Sequence, residues 1–143
     1  MAKQSVELPH FSESELLTLA SATKPFEERA KHALPIDYLL KKWMSTVQGI
    51  EDGYDLSIQE YINDISSRNI IYKISGSIDK DLSAKIYEFI NVWDIRFNEA
   101  TTTITEPLVR EADIHEQPWW FRIPKKLVGD LRDDLISEGL VSQ

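Results

Sequence analysis

The chain has 143 residues, with 16 Lys and Arg against 24 Asp and Glu, so its formal net charge is -8. This length and a hydrophobic content of 42% predict one folded domain over residues 1–143. The absence of cysteine excludes disulfides and thiolate metal sites, and the acidic balance argues against a nucleic-acid partner, which requires a cationic surface. No run of about 18 apolar residues is present, so a membrane partner is not expected either.

The first third of the chain predicts three helices. Ser12 and Glu15 have the spacing of a capping box, and the apolar pattern that follows fades at Thr23. A second, short helix is predicted from residues 23–25 to 34, because proline is tolerated in the first turn of a helix. A third helix begins at Pro35, has one apolar stripe at helical spacing and ends at Gly49. The stripe consists of Ile36, Leu39, Leu40, Trp43 and Val47.

The middle third predicts further helices and contains one ambiguous segment. Ser57 and Glu60 repeat the capping-box spacing ahead of an apolar stripe. Residues 69–74 are rich in β-branched side chains, which suits a strand, but no partner strand is evident, and a short helix is the preferred interpretation. The longest helix starts at Asp79 or Asp81 and has an Asp81–Lys85 pair on its surface. Its predicted buried residues are Leu82, Ile86, Phe89, Ile90, Trp93 and Phe97.

The last third predicts a long loop and one helix. Residues 101–123 have no helical period and contain two prolines, which is typical of an ordered loop. A final helix is predicted from Pro124 to Gly139, with Leu127, Leu131 and Leu135 on its buried side. Together with the scarcity of glycine, these elements predict an all-α fold: a single irregular bundle of about six helices with a long loop before the last one.

Two adjacent tryptophans, Trp119 and Trp120, form the densest apolar feature of that loop. In an extended segment they point to opposite sides, so one is expected in the core and the other near the surface. An exposed tryptophan is a typical binding anchor. The preferred interpretation is a lid over the longest helix, with the indole N–H groups bonded to backbone acceptors.

A catalytic or metal site has little support in the sequence. Glu111, Asp113, His115 and Glu116 place an imidazole beside carboxylates, which in principle binds a divalent metal or relays a proton. The other histidines are distant in the chain and no paired-histidine motif exists, so a solvated acidic loop is the preferred interpretation. No nucleophile elbow or glycine-rich phosphate loop is present either. We therefore expect no enzyme, no catalytic residue, no metal and no cofactor.

Negative charge is spread over the chain with two local concentrations. The first covers Glu51, Asp52, Asp55, Glu60 and Asp64, and the second covers Asp130, Asp134 and Glu138, four residues apart, with Asp133 close by. A solubilising surface is the ordinary explanation for either concentration. An acidic surface can also cover a cationic site on a partner, such as the substrate groove of a nuclease, with carboxylates in the places of phosphates.

Three segments carry a resemblance to a known class of protein: residues 54–68, residues 92–101 and residues 119–124. Together they resemble small, acidic, mainly helical bacterial immunity proteins, which are encoded beside polymorphic toxins such as those of contact-dependent growth inhibition. The resemblance implies residence in the cytoplasm, tight one-to-one binding to the C-terminal domain of a cognate toxin, and no catalysis. Within the matching segments, Asp94 and Arg96 are expected to form a polar lock with the helix around residues 61–68.

Two functional hypotheses follow from these observations. The first is an immunity protein that neutralises a toxin domain by masking its basic surface, and the second is a non-catalytic adaptor anchored by Trp119 and Trp120. The candidate partner-binding residues are Glu51, Asp52, Asp55, Glu60, Asp64, Asp130, Asp134, Glu138 and Trp119.

Overall fold

A computed structural model describes residues 7–109 and 117–142 of the chain. Over these residues the fold is mainly helical, as expected, but it has five α-helices where about six were predicted, and it includes a small two-stranded sheet. The helices are α1 (Glu13–Ala30), α2 (Ile36–Asp52), α3 (Ile58–Ser75), α4 (Lys80–Ala100) and α5 (Gly129–Ser137). The strands are β1 (Thr101–Thr103) and β2 (Arg122–Pro124).

Helix α1 joins the two helices that were predicted before residue 34. Its start is the predicted capping box, in which the Glu15 N–H donates to Ser12 Oγ over 3.1 Å and the Ser12 N–H donates to Glu15 Oε1 over 2.8 Å. The helix continues through Pro25 instead of restarting there. Pro25 is exposed, so its ring does not have to fit into a packed interface, although it removes one hydrogen bond from the helix. The helix ends at Ala30 and is capped by Lys31, which has a left-handed φ of 63° and donates its N–H to the Glu27 carbonyl.

Helix α2 packs against both α3 and α4. The predicted stripe of α2 is buried from Ile36 to Val47, and the helix runs past the predicted end at Gly49 to Asp52. All six residues predicted to be buried in the longest helix are buried in α4, which begins with the Leu82 N–H bonded to Asp79 Oδ1 over 2.9 Å. The predicted Asp81–Lys85 pair is wrong, because Lys85 Nζ lies 2.9 Å from Glu15 Oε1 of α1.

Helix α3 settles the ambiguous segment in favour of helix. Residues 69–74 belong to one continuous helix from Ile58 to Ser75, because Ile71 and Ile74 continue its buried side. At its start only half of the predicted capping box forms: the Glu60 N–H donates to Ser57 Oγ over 3.2 Å.

The predicted loop over residues 101–123 contains regular structure where the structure describes it. Strands β1 and β2 pair antiparallel, with Thr102 opposite Ile123, and a short 3₁₀ helix over Pro118–Phe121 precedes β2. Helix α5 starts at Gly129 and not at Pro124, so Leu127 lies before the helix, while Leu131 and Leu135 are buried as expected.

Candidate functional site

The two acidic concentrations of the sequence meet where the loop before α3 contacts the start of α5. The Asp130 N–H donates to the Asp55 carbonyl over 3.0 Å, and the Ile58 N–H donates to Asp134 Oδ2 over 2.9 Å. Gly129 permits this approach, because a Cβ atom there would lie 2.7 Å from Asp55 Cβ and its φ is +58°. Chain folding therefore brings carboxylates some 75 residues apart in sequence to one edge of the molecule.

Four of the candidate carboxylates are exposed near or along this junction. Asp55 lies in the loop, Glu60 in the first turn of α3, Asp130 in the first turn of α5 and Glu138 at the far end of α5. Within residues 7–109 and 117–142, none of these four side chains makes a hydrogen bond or an ion pair. We call this set the acidic junction. Asp52, at the last position of α2, is exposed as well.

The remaining acidic candidates are partly buried and bonded to other segments of the chain. Glu51 accepts two hydrogen bonds from Arg96 of α4, through Nε over 2.8 Å and through Nη2. Both side chains are about one-quarter exposed, and the hydrogen bonds raise the pKa of the Arg96 guanidinium. Asp134 Oδ2 accepts from the Ile58 N–H as described above, so both carboxylates already have a bonding partner within the chain.

Asp64 is the third internally bonded candidate. Its side chain is 14% exposed and lies between Lys42, whose Nζ is 3.0 Å from Oδ1, and Tyr54, whose hydroxyl donates to Oδ2 over 2.6 Å. The bond to Asp64 raises the pKa of Lys42. Burial and then the same carboxylate raise the pKa of Tyr54. The sequence predicted Asp64 as a binding residue, because local patterns do not show that Lys42 and Tyr54, on other segments of the chain, are its bonding partners.

Both tryptophans of the predicted anchor are buried, so the expectation that one lies near the surface is wrong. Trp119 is 7% exposed and Trp120 is 1% exposed. They lie in the 3₁₀ helix rather than in an extended segment, so the alternation of side chains along a strand does not apply to them. The Arg68 guanidinium lies 4.6 Å from the centre of a Trp119 ring, and the Tyr72 ring meets Trp119 edge-on at 5.9 Å.

A buried ion pair joins α3, α4 and α2 beneath Trp119. Arg68 donates to Asp94 through Nε over 2.9 Å and through Nη2 over 2.8 Å, and Trp43 Nε1 donates to the same carboxylate over 3.0 Å. The expected lock between Asp94 and the helix around residues 61–68 is present, whereas Arg96 pairs with α2 instead. Burial lowers the pKa of Arg68, but the hydrogen bonds and the charge of Asp94, together with Tyr87, outweigh burial, so the pKa is raised.

The sequence contained one signal for this ion pair. Arg68 follows Tyr61 and Ile65 at helical spacing, so it occupies a position in the buried stripe of α3. A cation in such a stripe requires a carboxylate partner, because an unpaired buried charge is strongly unfavourable. Arg68 Nη1 and Trp119 Nε1 are buried beside a cavity of about 160 Å³, and among residues 7–109 and 117–142 they have no acceptor. Within the same residues the Trp120 N–H has no acceptor either, so the backbone bonds expected for the two indoles are not found there. The opposite charges of Arg68 and Asp94 offset each other inside the protein.

The proposed metal or proton-relay cluster, Glu111, Asp113, His115 and Glu116, lies outside the described residues. Across the part of the chain that the structure describes, no group of three or more His, Asp or Glu side chains is arranged to hold a metal ion. None of the helices in that part combines the length and the apolar character that crossing a membrane requires.

Comparisons with known proteins add no identification. No protein-family model matches the chain, and neither the curated proteins nor the solved structures contain a match. The resemblance to immunity proteins therefore stays a prediction made from the sequence.

Proposed function

We propose that this protein is an immunity-type inhibitor, which binds a toxin domain through the acidic junction and masks a basic surface of that domain. The observation that carries the proposal is the junction itself: Asp55 and Asp130 come from segments far apart in sequence and are fixed beside each other by a backbone hydrogen bond of 3.0 Å. The partner is the C-terminal domain of a cognate toxin, nuclease-like in its basic surface, and the complex forms in the cytoplasm.

The charge of the molecule supports binding to a cationic partner. A net charge of -8 attracts a basic domain over a distance of about one Debye length, about 8 Å at physiological salt, and speeds association. Once contact is made, exposed carboxylates accept charge-assisted hydrogen bonds from Arg and Lys of the partner. Binding would not require Asp55 or Asp130 to break a hydrogen bond or ion pair within the protein, because their side chains form none with the described residues.

Helix stabilisation is the ordinary role of two of these carboxylates. Glu60 and Asp130 lie in first turns, where a negative charge interacts favourably with the helix dipole. That role is shared by Asp81, which is exposed in the first turn of α4. Asp81 therefore serves as a control for this local role: like Asp130 it lies in the first turn of a helix, but it lies outside the acidic junction.

The experiment uses the product of the gene adjacent to that of this protein as the candidate toxin. Association and dissociation rates are measured for the native chain, for Asp55→Lys with Asp130→Lys, and for Asp81→Lys. We expect the double variant to associate at least about tenfold more slowly, the control to match the native chain, and the native rate to fall as salt increases. All three proteins should unfold at similar urea concentrations.

A second readout is protection of cells that express the toxin. The native chain and Asp81→Lys should protect, and the double variant should protect less. The proposal is wrong if the neighbouring product neither binds nor harms cells, or if the double variant binds and protects like the control.

The adaptor hypothesis receives less support from the structure. An aromatic anchor needs exposed surface, and the contact surface of Trp119 is already occupied by Arg68 and Tyr72. Binding that persists unchanged at high salt would nevertheless favour an apolar contact over the acidic junction.

A further inference from the structure

A groove of about 700 Å³ lies between α1 and the end of α3. One wall is a single face of α1, in which Ser21, Ala22, Pro25 and Arg29 follow at helical spacing, and the opposite wall includes Lys73. No Asp or Glu of the described chain lines it. In a chain with eight more acidic than basic residues, a groove with two cations and no carboxylate differs from the rest of the surface.

The two cations are available to a ligand. Neither Arg29 nor Lys73 makes an ion pair or a side-chain hydrogen bond with residues 7–109 and 117–142. Arg29 is exposed at the mouth of the groove, and Lys73 is half-buried. A guanidinium and an ammonium that line the same groove are the donors that bind phosphate and carboxylate groups.

The groove also provides acceptors and an apolar floor. Pro25 has no N–H, so the Ser21 carbonyl does not receive its hydrogen bond within the helix. Thr18 and Ser77 also line the groove, and because their hydroxyls donate to backbone carbonyls, over 3.1 Å and 2.9 Å, their oxygens remain able to accept a hydrogen bond. Phe26, together with Ala22 and Pro25, contributes apolar surface. A ligand that fits this lining has an anionic group, hydroxyl donors and a carbon skeleton.

We infer that this groove binds a small organic anion that carries hydroxyl groups, such as a sugar phosphate. Its volume lies within the range of about 300–1,000 Å³ that is usual for small-molecule sites. Lys73 and Glu60 are thirteen residues apart in one helix, which separates the groove from the acidic junction by about 20 Å. The inference therefore does not depend on the proposed function.

The test is amide chemical-shift mapping by NMR with three probes: glucose 6-phosphate, inorganic phosphate and glucose. We expect saturable shifts with glucose 6-phosphate at the residues of the groove, at least about fivefold weaker binding of inorganic phosphate, and no binding of glucose. Arg29→Gln and Lys73→Gln should each weaken glucose 6-phosphate binding at least about fivefold. Lys41→Gln, which removes an exposed cation from α2, should leave it unchanged.

Two outcomes would overturn the inference. Shifts that are spread over the exposed lysines, or equal effects of the Arg29 and Lys41 variants, would mean that the anion is held by charge alone. A helix-stabilising role is the other alternative, since Arg29 and Lys73 lie in the last turns of α1 and α3. That role predicts lower thermal stability of both variants with unchanged glucose 6-phosphate binding.

Discussion

Replacing Asp94 with alanine would leave the Arg68 guanidinium buried without its carboxylate. The Arg68 side chain is 5% exposed and that of Asp94 is 27% exposed, so water reaches the carboxylate more easily than the guanidinium. Removal of one partner from a buried ion pair costs about 3–5 kcal/mol, and partial access of water places this pair near the lower end. The Trp43 N–H also loses its acceptor, at a cost of about 1–3 kcal/mol. We therefore expect Asp94→Ala to lower the free energy of unfolding by about 4 kcal/mol.

Urea unfolding followed by tryptophan fluorescence measures this loss. A typical domain unfolds at a cost of about 5–15 kcal/mol, so Asp94→Ala should shift the midpoint strongly. Glu28→Ala, which removes an exposed carboxylate from α1, is the control and should stay within about 0.5 kcal/mol of the native value. A loss below about 1 kcal/mol for Asp94→Ala would show that Arg68 is not buried as an ion pair.

A double variant separates the charge from the packing. Arg68→Met with Asp94→Leu removes both charges and keeps apolar volume at both positions, so no buried charge is left unpaired. It should be more stable than Asp94→Ala, with the remaining deficit reflecting the unbonded Trp43 N–H. If the double variant is less stable than Asp94→Ala, the geometry of the ion pair contributes more than the penalty for an unpaired charge.

Three further predictions concern the core, the junction and alkaline pH. Trp93→Ala should lower the free energy of unfolding by about 3–5 kcal/mol, because Trp93 is fully buried in α4, and a loss below about 1 kcal/mol in urea unfolding would contradict that burial. Gly129→Ala should lower the free energy of unfolding by about 2–4 kcal/mol, because alanine is strained at a φ of +58° and its Cβ would collide with the loop before α3. Gly139→Ala is the control: its φ is +73° but the space around it is open, so it should cost only about 1–2 kcal/mol. Equal losses of stability in the two variants would refute the close contact at Gly129. Burial raises the pKa of Tyr54 and Tyr61, so above about pH 10 these phenols stay protonated in the folded protein while they ionise in the unfolded chain. The free energy of unfolding should therefore be at its full value below about pH 10 and fall above it by up to about 1.4 kcal/mol per pH unit for each tyrosine. A urea midpoint that stays constant as the pH rises above about 10 would contradict this prediction.

The helices that were predicted from apolar stripes are present, and the errors lie at their ends. The stripes of α2 and α4 are long and regular, so their buried sides follow from sequence alone. A new helix was predicted to start near residues 23–25 because proline is tolerated in a first turn, but α1 continues through Pro25. The carbonyl that loses its hydrogen bond belongs to Ser21, which is exposed. The β-branched run at 69–74 becomes helix because burial of Ile71 and Ile74 overrides a weak local preference.

The small sheet and the bonding of the acidic residues could not be derived from local patterns. Strands of three residues are too short to show alternation, and their pairing joins segments about 20 residues apart. The partner of Glu51 is 45 residues away in sequence, at Arg96. The sequence shows where acidic residues are concentrated. Which of their carboxylates stay exposed depends on how α2, α3 and α4 pack against one another.

Internal pairing does not remove the charge excess of this protein, because each ion pair consumes one carboxylate and one cation. The pairs of Glu51 with Arg96 and of Asp64 with Lys42 therefore leave the net charge of -8 unchanged. The excess negative charge belongs to the carboxylates that form no such pair. Asp134 differs from Glu51 and Asp64, because it accepts its hydrogen bond from a backbone N–H, so this bond does not neutralise its negative charge. Substitutions at these three carboxylates would perturb folding, so an effect of such a substitution on the proposed binding would have two possible causes. Charge reversal at Asp55 and Asp130, whose side chains are exposed and unbonded within the described chain, is the change that separates the two.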